Sequence, residues 1–214
     1  MRLDHISYVA SHDQISDVVN RIGSQIGTAF VDGGIHPKFG TRNFTAPLLN
    51  NQYIEVVCPL DHPATDSTPF GRAVKKKAEE GGGWLSWVLR VDNIQEIESK
   101  LGRNAIDGQR KKPDGSELKW KQIGVLSNIE DPQIPYFVQW ISNNHPSSDG
   151  IANTSIQEIE ICGSELFISE WLGRSVVLVS SPININWVDT TNSDLVKGVV
   201  SVTFKNNNKS ISIT

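Results

Sequence analysis

The chain has 214 residues, a formal net charge of −4, 38% apolar residues and six tryptophans. Such a length allows one large domain or two small ones with ample core, and the composition excludes a disordered chain. With no basic surplus to neutralise phosphates, nucleic acid is excluded as an expected partner. The run Lys75-Lys76-Lys77 is answered at once by Glu79 and Glu80 and reads as a solvated helix face. Cys58 and Cys162 are too few and too far apart for a disulfide framework, so buried reduced thiols and a cytoplasmic location are expected. No secretory leader precedes Asp4 and no apolar run reaches membrane-spanning length, so a membrane is not an expected partner either.

The chain opens on Met1 to Ala10, where Leu3, His5, Ser7 and Val9 alternate with Asp4, Ile6, Tyr8 and Ala10. Period two predicts a strand, with His5 held at its middle. Ile15, Val18, Val19 and Ile22 then form a helical stripe, with Gly23 as its expected stop. A short strand over Thr28 to Val31 and a turn at Asp32-Gly33-Gly34 follow. The polar stretch from His36 to Phe44 leads into the strand Gln52 to Cys58. That strand carries Glu55 where an apolar residue is expected. A carboxylate there is costly to bury unless it is paired or bound to a cation.

Residues 60–83 read as a connector punctuated by Pro63, Pro69 and Gly71, with a helix from Phe70 to Glu80. The opening pattern then returns. Trp84 to Val91 is a predicted strand, Ile94 to Leu101 a helix with Gly102 as its stop, and Pro135 to Ile141 a closing strand. At an offset of 79 residues Ile15 falls over Ile94, Val18 over Ile97, Ile22 over Leu101 and Ser7 over Ser86. The expected organisation is two β-α-β-β-β units, 1–59 and 84–143, and an internal repeat outranks any local assignment. Residues 144–214 look like a partial third copy packed with the rest. Strands are predicted over Ile156 to Cys162, Val176 to Val179, Gly198 to Phe204 and Ser210 to Thr214. Pro182 to Asp194 is read as irregular, and Lys205 to Lys209 as a hairpin turn.

A repeated β-α-β-β-β unit with His5 on its first strand and Glu55 on its last resembles the glyoxalase-like branch of the vicinal oxygen chelate superfamily. The stretches that carry the resemblance are Leu3-Asp4-His5, His36 to Asn43 and Tyr53-Ile54-Glu55 in the first unit. In the second they are Arg110 to Trp120 and Pro135 to Trp140. The resemblance implies an α+β fold: tandem units forming a curved mixed sheet, a half-barrel with outer helices, plus a C-terminal half unit. It also implies a divalent cation (zinc, nickel, iron, manganese or magnesium) that chelates vicinal oxygens of a small substrate in lyase, isomerase or dioxygenase chemistry. His5 and Glu55 are the ligand positions of the first unit. In the second the offset puts Trp84 at the His5 position, and Gln139 lies about where the branch often has a glutamate.

The expected site therefore has His5, Glu55 and Gln139 toward a metal, with Glu55 and His36 as the catalytic groups. Arg42 and Asn43 hold the polar end of the ligand, and Trp84 and Trp120 form flat walls. Arg42 is as readily a brace to Glu55 as a clamp. A metal-free reading stands beside the enzyme: the same concavity binding or sequestering a small molecule, with Glu55 paired to Arg42 or His5. His12, His62 and His145 are expected in caps or turns. Oligomeric state is left open.

Overall fold

The computed structural model describes residues 1–189, 196–207 and 209–214. The first unit runs β1 (Arg2–Val9), α1 (Ile15–Ile26), β2 (Val31–His36), β3 (Thr41–Leu48) and β4 (Gln52–Pro59). Two helices, α2 (Pro63–Ser67) and α3 (Pro69–Glu79), lead to the second unit. There β5 (Gly83–Arg90), α4 (Gln95–Leu101), β6 (Ile106–Lys111), β7 (Glu117–Ile123), α5 (Val125–Glu130) and β8 (Tyr136–Trp140) follow. The C-terminal part contains β9 (Thr154–Cys162), α6 (Glu165–Leu172), α7 (Val176–Ser180), β10 (Asn184–Val188), β11 (Gly198–Asn206) and β12 (Lys209–Ile213).

The fold is α+β, and the curved sheet of each unit joins the other to close an eight-stranded barrel in the order β1-β4-β3-β2-β6-β7-β8-β5. One seam is the antiparallel pair β1/β5; the other rests on the single pairing of Ile35 with Lys111. A second sheet, β10-β9-β11-β12, packs on the outside. Trp84 fixes this contact: its indole N–H donates to the Ile213 carbonyl at 3.0 Å, and its ring packs against Tyr8 and Phe204. Thr28 and Thr154 hydroxyls add a bond of 2.9 Å. Leu3, Ile6, Ile54, Leu89, Ile159, Val202 and Phe204 share one apolar cluster between barrel and outer sheet.

The β1/β5 seam shows the internal symmetry directly. Arg2 pairs with Arg90 and Val9 with Gly83, Leu3 with Leu89 and Tyr8 with Trp84, His5 with Val88 and Ser7 with Ser86. These pairings map onto one another at a spacing of 81 residues about Ile6 and Trp87, not at the 79 read from the helices. Each strand carries one bulge, at Asp4 in β1 and Leu85 in β5, again 81 apart. The link from first strand to first helix is shorter in the second unit, so the helix offset misassigns the strands.

Several local expectations change. Helix α1 runs one turn past Gly23 and ends at Gly27, whose left-handed φ of 69° forms the cap. Gly23 stays helical; a Cβ there would lie 3.0 Å from the Thr28 carbonyl oxygen. Strand β2 starts at Val31 and includes Asp32-Gly33-Gly34, with an irregularity rather than a turn. Val176 to Val179 is helical: Val176 and Val179 are buried and Val177 and Leu178 exposed, a spacing of three that outweighs β-branching. Strand β10 occupies part of the segment read as irregular, and residues 190–194 of it lie outside the described residues. The turn after Lys205 links β11 to β12, though Asn208 is also outside them.

Candidate functional site

The barrel interior holds a narrow cavity of about 30 Å³ lined by His5, His36, Asn43, Tyr53, Glu55, Arg110, Gln122, Tyr136 and Val138. Phe70, Trp120 and Trp140 complete its wall. That space takes one or two waters or a few substrate atoms, since one water needs roughly 10–15 Å³ measured this way.

His5 is the centre of the arrangement. Its Nδ1 contacts Asp4 Oδ2 at 2.9 Å, and its Nε2 faces Glu55 Oε2 at 3.9 Å. The Tyr53 ring stacks on the imidazole at 4.3 Å between centroids. In neutral His5 the Asp4 contact keeps the proton on Nδ1 and leaves the Nε2 lone pair facing the cavity. Asp4 reaches His5 because it is the bulged residue of β1, which turns its carboxylate out of the alternation. Asp4 also lies 3.1 Å from His145 Nε2 and accepts the Trp140 indole N–H at 3.2 Å. Burial opposes its charge, but hydrogen bonds from His145 and His5 outweigh that and hold its pKa at about 2.

Glu55 is fully engaged by neutral donors: Ser7 Oγ donates to Oε2 at 2.8 Å and Asn43 Nδ2 to Oε1 at 2.7 Å. Burial raises its pKa, yet electrostatic interaction with His5 and His36 and these two bonds bring it below the ordinary value, so it is ionised at neutral pH. Asn43 passes the chain on, its Oδ1 accepting from Arg110 Nη1 at 3.1 Å. Arg110 is 2% exposed, and Gly33 makes its approach possible: a Cβ there would lie 2.3 Å from Nη1 and 2.1 Å from Asn43 Oδ1. His36 lines the cavity with Nδ1 3.0 Å from Thr41 Oγ1; burial drops its pKa to about 4, so it is uncharged at pH 7. Burial raises the Tyr53 and Tyr136 hydroxyls, so both remain protonated donors.

Of the residues read from sequence, the structure brings together His5, His36, Asn43, Glu55 and Trp120. It separates three. Gln139 points outward, its Oε1 accepting the Ile94 backbone N–H at 3.0 Å at the start of α4, while its neighbour Val138 faces the cavity. Trp84 lies under the outer sheet. Arg42 is half-exposed, paired with Asp32 and set 5.4 Å over the Phe44 ring, neither clamp nor brace to Glu55. The strand spacing of 81 puts Ser86 and Tyr136 at the positions of His5 and Glu55: Ser7 pairs with Glu55 in one unit as Val88 does with Tyr136 in the other. Asp4, Tyr53, Arg110, Gln122, Tyr136 and His145 were not picked out as site residues. Asp4 sits inside a motif stretch, but its contact with His5 depends on a bulge; His145 carried no usable signal, because a loop brings it in. Arg110 and Tyr136 sit inside the motif stretches and required the strand register.

The donor set does not fit a resident divalent cation. Zinc sites take three or four strong protein donors, and magnesium, which keeps several waters, is held through carboxylates and substrate oxygens rather than imidazole. Here one imidazole and one carboxylate stand alone, the second unit offers the hydroxyls of Ser86 and Tyr136, and the buried Arg110 cation is linked to Glu55 through Asn43. No group of three or more His, Cys, Asp or Glu residues among the described residues has metal-holding geometry.

Closed paired β-α-β-β-β units around a central cavity define the vicinal oxygen chelate architecture. The family model for a glyoxalase-like domain matches residues 3–174, and the chain belongs to that family. No curated protein matches it. A hypothetical protein from Staphylococcus aureus is similar in fold over 97% of this chain and 92% of its own, with a TM-score of 0.68 and 18% identity. Methylmalonyl-CoA epimerases align over less: that of Mycobacterium tuberculosis over 65% of this chain and 86% of its own (TM-score 0.43, 14% identity). The Streptomyces coelicolor enzyme, solved with 2-nitronate-propionyl-CoA, aligns over 66% and 99% (TM-score 0.45, 13% identity). Among the described residues no helix is long and apolar enough to cross a membrane.

Proposed function

We propose that this protein is a small-molecule enzyme that moves a proton within a substrate bearing neighbouring oxygen functions, with His5 as the base and no resident metal. The observation that carries this reading is the buried Asp4–His5 pair, whose free Nε2 faces the cavity 3.9 Å from the ionised Glu55. A carbon-bound proton next to a carbonyl passes to Nε2, and its electron pair moves onto the carbonyl oxygen as an enolate. Asp4 and Glu55 stabilise the imidazolium that forms, while the Tyr136 hydroxyl and the Arg110 guanidinium offer donors to the developing oxyanion. Return of the proton from Nε2 to the adjoining carbon, with the hydroxyl proton passing to the other oxygen, isomerises the substrate; loss of a neighbouring leaving group instead completes an elimination. His36 stays neutral and positions rather than transfers charge.

One observation favours a second reading. Tyr53, Trp120 and Trp140 give the cavity aromatic walls, which also suit a protein that sequesters a flat ligand without reaction. Proton NMR in deuterated buffer with a chelator present distinguishes the two. Incubation with a panel of 2-oxo and 2-hydroxy acids is expected to give deuterium at the carbon next to the carbonyl, at a rate lowered about 100-fold or more in His5→Asn. Binding of panel members with no isotope exchange in any would favour the sequestering protein and overturn the enzyme.

A further inference from the structure

The segment between β8 and β9, residues 141–153, contacts residues of the site at two points. His145 reaches Asp4 on one side. On the other, Asp149 Oδ2 sits 3.3 Å from Arg110 Nη2 and its Oδ1 2.5 Å from Lys112 Nζ. Apart from a 3₁₀ turn at Pro146–Ser148, this segment has no regular structure. Arg110 itself belongs to the barrel wall, where the absent side chain of Gly33 leaves room for it. Among the described residues one of its terminal nitrogens is spent on Asn43, the other hydrogen-bonds only to Asp149, and its buried Nε has no hydrogen-bond partner.

We propose that Arg110 and Lys112 form the anion subsite of this cavity, that the substrates are carboxylates, and that Asp149 is an internal carboxylate filling the subsite until one displaces it. The inference rests on the proton-transfer reading for what happens to the ligand, though not for its binding. A planar guanidinium with a free edge matches a carboxylate, and a desolvated one holds it more strongly than an exposed lysine does. A carboxylate on Nη2 and Nε is also anchored one residue from Glu55, through Asn43, which brings its neighbouring carbon toward His5. Because Asp149 rides on a loop, it leaves Arg110 without disturbing the barrel wall that holds the guanidinium.

The test uses pyruvate and benzoate as probes, with benzamide as the uncharged control, followed by the fluorescence of the full chain, in which Trp120 and Trp140 line the cavity. Asp149→Asn removes the competitor, so at least one carboxylate should bind about tenfold or more tightly than to wild type, with no gain for benzamide. Arg110→Gln in either background should abolish binding. Hydrogen exchange on unmodified protein keeps the proposal testable if Asp149→Asn folds poorly: a saturating carboxylate should speed exchange at Ser148 and Asp149, whose amides bond to His145 and Pro146. Unchanged or slower exchange there, failure of both carboxylates to bind, or binding indifferent to Arg110→Gln would overturn it. Carboxylate binding without isotope exchange at carbon would leave this subsite standing and remove the proton-transfer reading alone.

Discussion

Asp4 is the residue on which most of the site's order depends. It is fully buried, touches His5, His145 and Trp140, and has Arg90 Nε 3.6 Å away. Asp4→Asn leaves these donors without their charge and is expected to cost about 2–5 kcal/mol in denaturant unfolding, far above an ordinary surface change. Since its folded pKa is about 2 against an ordinary 3.8, Asp4 adds stability above pH 3.8 that is lost as pH falls toward 2. His36 acts in a higher window. Its pKa is lowered from 6.5 to about 4, so as pH drops through that range the unfolded chain takes up a proton that the buried imidazole refuses. Stability should therefore decline from pH 6.5 to 4, and His36→Asn should remove roughly 3 kcal/mol of that decline. Equal pH slopes for wild type and variant in that range would show that His36 is solvated.

At the scale of elements, the bulges and the glycine in β2 decide which side chains meet. Gly33→Ala would drive a methyl into both Asn43 and Arg110, so we expect a loss of about 1–3 kcal/mol and a weakened hold on Glu55, read as a lower melting temperature. The tandem units and the strand positions of His5 and Glu55 were legible from alternation and repeat, whereas His36, Asn43 and Trp120 were read from a polar stretch and the family resemblance. The second unit's register was not. Helix stripes align Ile15 with Ile94, while the strand pairing runs at 81, and that two-residue difference is what assigned Trp84 to the position of Ser86. Gln139 failed for the related reason that adjacent strand residues face opposite sides. Gln139→Glu should thus leave any metal affinity unchanged. Paired substitution Ser86→His with Tyr136→Glu should create zinc binding by completing a four-donor set.

Across the whole molecule, the outer sheet seals one side of the barrel: Trp84, Tyr8, Phe204 and Ile213 leave no solvated gap between the two parts. We propose that residues 144–214 fold as one cooperative body with the two tandem units, giving a single calorimetric transition, whereas a separate melt for the C-terminal part would refute this. The same whole-molecule symmetry underlies the site's chemistry, because duplication supplied two halves and only the first carries His and Glu donors. The most direct measurement is a calorimetric titration of chelator-treated, untagged protein with zinc, nickel and manganese, alongside His5→Ala and the Ser86→His, Tyr136→Glu pair. The account predicts no stoichiometric binding to wild type and one equivalent of zinc bound by the paired variant. One equivalent bound tightly by wild type and lost in His5→Ala would contradict it.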